Sequence, residues 1–287
     1  MIKVLSFDIG GTNLRGALVD ENYNVIKVNK VRTKHEGTKV FIQQINDMII
    51  ELMEGHDDIK HVVFGVPGRV RKSDFYIDEL PNIGVKDIDL VTDIGNLFPE
   101  LKVYVYNDAE IAGLYEANNG SGKNAKRVYY ITISTGLGGC LFVDKLWTQS
   151  SYEIGHTLYE YKGNRYELEH IASGTGLRLL STLNDLEIKS SKEFFQGVRL
   201  QNPKYINVFE EWLTIMGRFF RDLDRLYAPD VIVIGGGVAF QSEMFLKALQ
   251  IRNKYVKIKI SSQIDDSGLL GCVSLINLIN KGLNPFE

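Results

Sequence analysis

The chain has 287 residues, of which 44% are hydrophobic and 24% are charged, and its net charge is −3. This composition is typical of a globular protein with two domains, and no basic surplus indicates binding to nucleic acid or to an anionic membrane. The two cysteines, Cys140 and Cys272, are far apart in apolar segments, which excludes a disulfide scaffold and a CxxC metal site. We expect reduced, buried thiols and a cytoplasmic protein, because the first strand starts at Ile2 without room for a signal peptide and no apolar run is long enough to cross a bilayer.

Short apolar runs alternate with helical patterns through the first half of the chain. Strands are predicted at 3–8, 15–19, 25–31, 61–66 and 101–106. Apolar residues at helical spacing predict helices at 40–54 and 108–117.

The opening pattern then returns in the middle of the chain. Strands 128–133 and 140–143 flank a Gly-rich turn, as strands 3–8 and 15–19 do. This weak internal repeat predicts two similar domains, each opening with a hairpin. The last third predicts a helix at 209–227, a strand at 231–234, another helix, and a final apolar helix at 269–279. Together these elements indicate an α/β architecture with mixed sheets, divided near residues 107–120.

Three Gly-rich turns follow apolar strands. They are Asp8-Ile9-Gly10-Gly11-Thr12, Thr135-Gly136-Leu137-Gly138-Gly139 and Gly235-Gly236-Gly237. Each could present backbone N–H groups to a phosphate, since no Cβ blocks the approach, or could simply be a tight hairpin. None matches a P-loop or a dinucleotide fingerprint. Asp8 could hold Mg²⁺ through water beside such a turn, or could cap the turn.

Further motifs along the chain add to this pattern, and together they resemble the ROK family. They are Asp8-Ile9-Gly10-Gly11-Thr12, Gly65-Val66-Pro67-Gly68, Asn107-Asp108-Ala109, Ser134-Thr135-Gly136-Leu137-Gly138-Gly139, Glu153-Ile154-Gly155-His156, Ala172-Ser173-Gly174 and Ile234-Gly235-Gly236-Gly237. The resemblance covers nearly the whole chain, and the Glu-x-Gly-His element is its most specific part. The ROK family contains repressors and sugar kinases and belongs to the actin-like ATPase superfamily.

The resemblance implies a two-domain actin-like ATPase (ribonuclease H-like) fold with mixed sheets and an interdomain cleft. We expect an N-terminal domain at 1–115, on which a C-terminal helix of about residues 270–287 packs, and a larger domain at 116–269. It also implies an ATP- and Mg²⁺-dependent kinase that phosphorylates a hexose-type sugar at O6, and a homodimer. Neither nucleic acid nor membrane is an expected partner.

The resemblance also implies the residues of the site. Asp108, which ends a strand and begins a helix, is the expected catalytic base, although an Asp there could instead cap the helix. The expected sugar-binding residues are Gly68, Asn82, Asn107, Asp108, Glu153, His156 and Glu169. The expected nucleotide-binding residues are Asp8, Gly10, Gly11, Thr12, Thr135, Gly136, Gly138, Gly235, Gly236 and Gly237, with Asp8 holding Mg²⁺ through water.

One departure concerns metal binding. Most kinases of this family carry a zinc-binding cysteine cluster after the Glu-x-Gly-His element, whereas the corresponding residues 161–167 contain no cysteine. A tetrahedral zinc site cannot be assembled from their side chains, so no zinc is expected. The tyrosines of this segment are a candidate for holding the loop by packing.

Several functions stay open. A repressor of the same family would carry a winged helix-turn-helix before the first strand, and Met1 leaves no space for one. A non-catalytic sugar or nucleotide sensor is a further alternative, against which the presence of both Asp8 and Asp108 argues. Glucose and N-acetylmannosamine are the leading substrates, followed by N-acetylglucosamine and fructose.

Overall fold

The computed structural model describes residues 2–80, 82–148 and 153–284. The strands in these residues are β1 (Lys3–Ile9), β2 (Asn13–Asp20), β3 (Val25–Arg32), β4 (His61–Val66), β5 (Ile77–Leu80), β6 (Val85–Ile88), β7 (Lys102–Asn107), β8 (Arg127–Ile133), β9 (Leu137–Val143), β10 (Leu146–Trp147), β11 (Leu158–Tyr161), β12 (Asn164–Glu167), β13 (Val231–Gly235) and β14 (Lys257–Ile260). The α-helices are α1 (Thr38–Met53), α2 (Leu90–Leu97), α3 (Asp108–Asn118), α4 (Leu168–Ala172), α5 (Gly176–Thr182), α6 (Ser191–Arg199), α7 (Pro203–Tyr227), α8 (Ser242–Arg252) and α9 (Ser267–Ile279). Short 3₁₀ helices span Ile154–His156 and Gly237–Gln241.

These elements form two compact units. Unit 1 comprises the described residues up to 115 together with 266–284, and unit 2 comprises those from 116 to 265. The expected C-terminal helix at about 270–287 corresponds to α9, which ends at Ile279. Residues 285–287 lie outside the described residues. None of the described helices combines the length and the apolar character needed to cross a bilayer.

Unit 1 is built on a five-stranded mixed sheet in the order β3-β2-β1-β4-β7. The first three strands form an antiparallel meander, and β1, β4 and β7 run parallel to one another. Strands β1 and β4 are mostly buried, as expected of central strands covered on both faces. Helix α1 packs on β2 and β3, and α9 packs on β1, β2 and β4.

Unit 2 repeats this plan in its own sheet, whose order is β10-β9-β8-β13-β14. Again the first two strands, β8 and β9, form an antiparallel hairpin. Strands β8, β13 and β14 run parallel to one another. The matching order and directions confirm the internal repeat that the sequence predicts. The core of this unit includes the apolar face of α7, where the buried Trp212 donates its indole N–H to the carbonyl of Ala172 at 2.9 Å.

One predicted boundary, the start of the strand at 140–143, is wrong and affects a Gly-rich segment. Strand β9 begins at Leu137, so Gly138 lies in the ladder opposite Thr132 rather than in the turn. The neighbouring Gly139 is required by packing, since a Cβ there would lie 2.9 Å from both the Tyr129 ring and the Tyr130 carbonyl.

Helix α9 is anchored by close approach to α3 within unit 1. Gly271 faces the carbonyl oxygen of Ile111, and a Cβ on Gly271 would lie 2.0 Å from that oxygen. The helix is buried over its first ten residues. Backbone atoms cannot move aside as a flexible side chain would, so a glycine is required at this crossing.

We expect Gly271→Ala to lower the thermal unfolding midpoint, because overpacking of this kind costs about 1–3 kcal/mol. Gly95→Ala in α2 is the matched control, since a Cβ on Gly95 meets no atom within 4 Å. That control should be neutral or stabilising by up to about 1 kcal/mol, because alanine is the better helix former. Differential scanning fluorimetry of both variants measures the contrast. Equal midpoints would show that α9 does not pack at this distance.

Candidate functional site

The candidate residues of unit 1 gather where three parallel strands end. In the sheet register Asp8 on β1 lies beside Gly65 on β4, and Gly65 lies beside Tyr106 on β7. Asp108 follows β7 directly, and a Cβ on Gly65 would lie 3.5 Å from the Asp108 Cα. Asp8 and Asp108 therefore flank the same glycine, about two strand spacings or roughly 10 Å apart.

The capping residue of α3 is Asn107, which precedes the first helical residue, Asp108. The Asn107 Oδ1 accepts the N–H groups of Ala109 at 2.9 Å and Glu110 at 3.3 Å. In return the Glu110 carboxylate accepts the Asn107 N–H at 3.3 Å. This reciprocal arrangement is a capping box. Asp108 occupies the first helical position, where its Oδ1 also accepts the Ala109 N–H at 2.8 Å.

Two further residues support this cap, and the sequence analysis did not single them out. Glu110 is 5% exposed and forms an ion pair with Lys72. The Lys72 ammonium also lies 5.1 Å from the centre of the Tyr106 ring. The Asn-x-x-Glu spacing of Asn107 and Glu110 is a sequence signal for the cap, whereas nothing local indicates Lys72, because it lies 38 residues from its partner in the chain.

The expected substrate residue Asn107 is also bound at its amide nitrogen, which donates to the Gly68 carbonyl at 3.0 Å. Gly68 has a φ of 98° and follows β4. The structure thus brings Gly68, Asn107 and Asp108 together, with the two ends of the Asn107 side chain engaged by protein atoms.

The first Gly-rich turn lies at the same edge of the sheet, between β1 and β2. Gly10 closes the hairpin with its own N–H, which donates to the Asn13 carbonyl at 2.9 Å. Gly11 faces Asn82, and a Cβ on Gly11 would lie 2.9 Å from the Asn82 carbonyl oxygen. Thr12 is exposed. Asn82, whose sequence surroundings match the family only loosely, is therefore placed directly against this turn.

Asp8 is partly buried, and burial raises the pKa of its carboxyl above the ordinary value of 3.8. Arg15 opposes this rise in pKa and Asp266 adds to it, while Arg15 and Asp266 form an ion pair with one another. Gly268 at the start of α9 leaves room for the carboxylate, since a Cβ there would lie 3.2 Å from the Asp8 Cγ. The charged form of Asp8 is therefore disfavoured in the protein alone.

In unit 2 the other two Gly-rich segments come together. Gly236 has a φ of 79°, and a Cβ on it would lie 2.6 Å from the Ile133 carbonyl and 2.7 Å from the Thr132 Oγ1. Only glycine fits this left-handed, close approach. Gly235 is the last residue of β13. Gly237 is exposed, and a Cβ on it would meet no atom within 4 Å.

The turn between β8 and β9, at Ser134, Thr135 and Gly136, is held by Glu169. The Glu169 Oε2 accepts the Leu137 N–H at 2.8 Å and occupies the place that a Cβ on Gly136 would take. The Ser134 carbonyl accepts the Gly174 N–H at 2.7 Å, and the Thr175 hydroxyl donates to the Thr135 carbonyl. The expected sugar residue Glu169 thus directly contacts a turn expected to bind nucleotide.

The Glu-x-Gly-His element ends in an exposed imidazole. The His156 Nδ1 lies 2.7 Å from the Glu167 Oε2, and the His170 Nε2 lies 3.7 Å from the same oxygen. This pairing raises the pKa of His156 above its ordinary 6.5, chiefly through the hydrogen bond to Glu167. Glu153 is also exposed and precedes the 3₁₀ turn. Sequence analysis did not single out Glu167, although it lies only two residues before Glu169.

Tyrosines hold the segment for which a zinc site was excluded. Strands β11 and β12 form a hairpin, and Tyr159 and Tyr161 are buried in the core of unit 2. The Tyr159 hydroxyl donates to Asp222 at 2.7 Å, and the Tyr161 hydroxyl to Asn184 at 3.2 Å. Within the segment 161–167, Tyr161 is buried in this core and Tyr166 packs against it, which agrees with the hypothesis that tyrosines pack the loop in place. In the described part of the chain no three His, Cys, Asp or Glu side chains are grouped as a metal site would require.

Comparison with solved structures identifies the fold as that of the actin-like ATPases, as predicted. A ROK family glucokinase from Streptomyces griseus, crystallised in complex with glucose and AMPPNP, aligns with a TM-score of 0.79 and 24% identity over 95% of this chain and 98% of that one. The chain belongs to the ROK family, which its residues 4–278 match. A glucokinase of Thermotoga maritima is 23% identical over 96% of this chain and 97% of that protein. A xylose repressor of Caldicellulosiruptor bescii is 24% identical over 92% of this chain and 74% of the repressor.

We expect Asp8→Asn to raise the thermal unfolding midpoint of the ligand-free protein at neutral pH. A carboxyl whose pKa is raised by folding costs stability above that folded-state pKa, and the cost disappears as the pH falls towards the unfolded value of 3.8. The gain from the substitution should therefore shrink as the pH is lowered.

Asp57→Asn is the control, because Asp57 is exposed in the same unit. Thermal midpoints of the three proteins across a pH series provide the measurement. A lower midpoint for Asp8→Asn at neutral pH would mean that Arg15 outweighs burial at this carboxyl.

Proposed function

We propose that the protein is an ATP-dependent sugar kinase in which Asp108 is the catalytic base. The observation that carries this proposal is the cap of α3. Asn107 and Glu110 already cap the helix reciprocally, and the Ala109 N–H that donates to the Asp108 Oδ1 also donates to Asn107, so the cap does not by itself require an aspartate at position 108.

The reaction that we propose is a single phosphoryl transfer. A sugar hydroxyl oxygen attacks the γ-phosphorus of ATP, the bond from that phosphorus to the β–γ bridging oxygen breaks, and ADP leaves with that oxygen. The hydroxyl proton passes to the Asp108 carboxylate. Because aspartate is a weak base, it orients the hydroxyl and takes the proton late, as the catalytic aspartate of protein kinases does.

For the nucleotide we propose the Gly-rich turns. The segment at 235–237 and the turn at 134–136 adjoin each other in unit 2, and the exposed Gly237 offers bare backbone. For Mg²⁺ we propose Asp8, through water. A single carboxylate suits a cation that also takes phosphate oxygens, and the described residues supply no three-ligand cluster that would hold a metal alone. Such a cation would also favour the charged form of Asp8, which burial opposes.

For the sugar we propose a hexose phosphorylated at O6 and bound by Gly68, Asn82, Asn107, Asp108, Glu153, His156 and Glu169. Glucose is the first candidate, because two of the similar proteins are glucokinases. N-acetylmannosamine, N-acetylglucosamine and fructose are the other candidates. The proposal includes a homodimer, supported by the family resemblance, and a cytoplasmic location, supported by the two free, buried cysteines.

A coupled assay of ADP release tests the function directly. The protein is incubated with Mg²⁺, ATP and each candidate sugar, and with xylose because one similar protein is a xylose repressor. We expect ADP release with at least one hexose or N-acetylhexosamine. Sugar binding by calorimetry without any ADP release would instead identify a sensor.

We expect Asp108→Asn to lower kcat by about 10²–10⁴-fold. The KM values for ATP and sugar should change little, because the proton is accepted only as the transition state is reached. Asp93→Asn is the control, since Asp93 lies in the first turn of another helix of unit 1, α2. Steady-state kinetics of both variants measure the effect, and wild-type kcat in Asp108→Asn would exclude this residue as the base.

A further inference from the structure

One carboxylate in unit 2 contacts a proposed substrate residue without itself belonging to the expected site. The Glu167 Oε2 lies 2.7 Å from the His156 Nδ1, and Glu167 is about one-third exposed. The same oxygen lies 3.7 Å from the His170 Nε2. This group of one glutamate and two histidines has no role in the function proposed above, apart from His156.

The position of Glu167 is set by the backbone and not by chance contact of long side chains. Strands β11 and β12 pair in register, with Leu158 opposite Glu167. Next to this pair the Leu168 N–H donates to the Thr157 carbonyl at 2.9 Å, which ties the residue after Glu167 to the residue after His156.

The hairpin itself is held at both ends. Its two-residue turn, Lys162 and Gly163, has φ values of 49° and 76°, and positive values at both positions match the twist of an antiparallel pair. Tyr159 and Tyr161 anchor β11 in the core of unit 2. The carboxylate is therefore presented to His156 on a rigid support.

The neighbouring Glu169 has a separate task, although it lies only two residues away. Its carboxylate is bound to the Leu137 N–H at the β8–β9 turn. Glu167 is thus the carboxylate that bonds the imidazole, while Glu169 supports the turn.

A hydrogen bond at Nδ1 has a defined chemical effect on histidine. When a carboxylate accepts from Nδ1, the neutral ring carries its proton on that nitrogen, and Nε2 on the opposite side is left as an acceptor. His156 is 55% exposed, so a ligand can reach the ring. A hydroxyl-bearing ligand could then donate to Nε2, or accept from it when the ring is protonated.

We propose that Glu167 is a positioning residue, which holds His156 in one ring orientation and tautomer so that Nε2 recognises a hydroxyl of the sugar. This inference rests on the proposed function, because it takes the sugar as the ligand of His156. It assigns to Glu167 an effect on sugar affinity rather than on the phosphoryl-transfer step.

The charges around His156 make the proposal measurable. The carboxylates of Glu167, Glu169 and Glu153 all raise the pKa of His156, with Glu167 first, while desolvation lowers it. The second imidazole, His170, interacts with Glu167 on the side of α4. Removing the charge of Glu167 should therefore lower the pKa of His156 towards 6.5.

The first measurement is an NMR titration of the histidines in the ligand-free full chain, comparing wild type with Glu167→Gln. We expect the His156 titration midpoint to fall and the Nδ1-protonated tautomer to lose population, as read from the ¹⁵N shifts of the ring. An unchanged midpoint and tautomer would overturn the proposal. This readout requires no catalytic activity, so it is independent of whether the protein is a kinase.

The second measurement is steady-state kinetics with the sugar that gives the highest activity. We expect Glu167→Gln to raise the sugar KM roughly ten-fold, as loss of one charge-assisted hydrogen bond implies, with kcat and the KM for ATP changed by much less. Glu167→Asp keeps the charge and should restore part of the affinity.

Glu160→Gln is the matched control, because Glu160 is an exposed glutamate on β11 of the same hairpin. It should leave the sugar KM and the His156 titration unchanged. If His156 shifts in Glu167→Gln while the sugar KM does not change, Glu167 forms only a surface ion pair and the positioning role is wrong. If no sugar is phosphorylated at all, the proposed function fails instead, and the titration still reports whether Glu167 orients the ring.

Discussion

The cap at the start of α3 is the interaction on which the proposed chemistry depends. The first N–H groups of a helix that directly follows a strand need hydrogen-bond acceptors from nearby residues. A carboxylate at that point readily accepts these N–H groups and is then not available for catalysis. Here the Asn107 amide and the Glu110 carboxylate share it, and Lys72 compensates the charge of the buried Glu110. Asp108 is thereby held at the carboxyl end of β7 while the helix start is stabilised by its neighbours.

A second constraint is the absence of side chains where backbones approach each other. Gly65 lets β4 lie between Asp8 and Asp108, and Gly236 lets the end of β13 contact the end of β8. Gly271 does the same for α9 and α3 in unit 1. These glycines therefore act as packing positions within their own units, whether or not a phosphate contacts their amides.

Two of the expected site residues, Asp8 and His156, have raised pKa values with opposite physical causes. Burial disfavours the charge on Asp8, and a cation would relieve that cost. A carboxylate partner favours the charge on the exposed His156. Perturbed groups of this kind are common at functional sites, and here they lie on residues that the family resemblance had already selected.

The sequence by itself determined the α/β class, the internal repeat and most strands of the two large sheets, because buried strands such as β4 and β13 are continuous apolar runs. It also selected Asp8, Asp108 and His156 as candidate site residues, since their motifs are local. It did not identify the small β5–β6 and β11–β12 hairpins, whose four-residue strands carry little periodic signal, or the start of β9 at Leu137, where glycines resemble a turn.

Only the tertiary structure decided which side chains meet. The approach of Asn82 to Gly11, the Lys72–Glu110 pair and the Glu167–His156 hydrogen bond all join residues 11 or more positions apart in the chain. A local pattern can specify how a segment folds, but contacts between segments depend on strand register and on packing, which the order of residues does not display. The physical reason is that a carboxylate acquires its partner, and with it its charge state, only after the backbone has brought distant segments together.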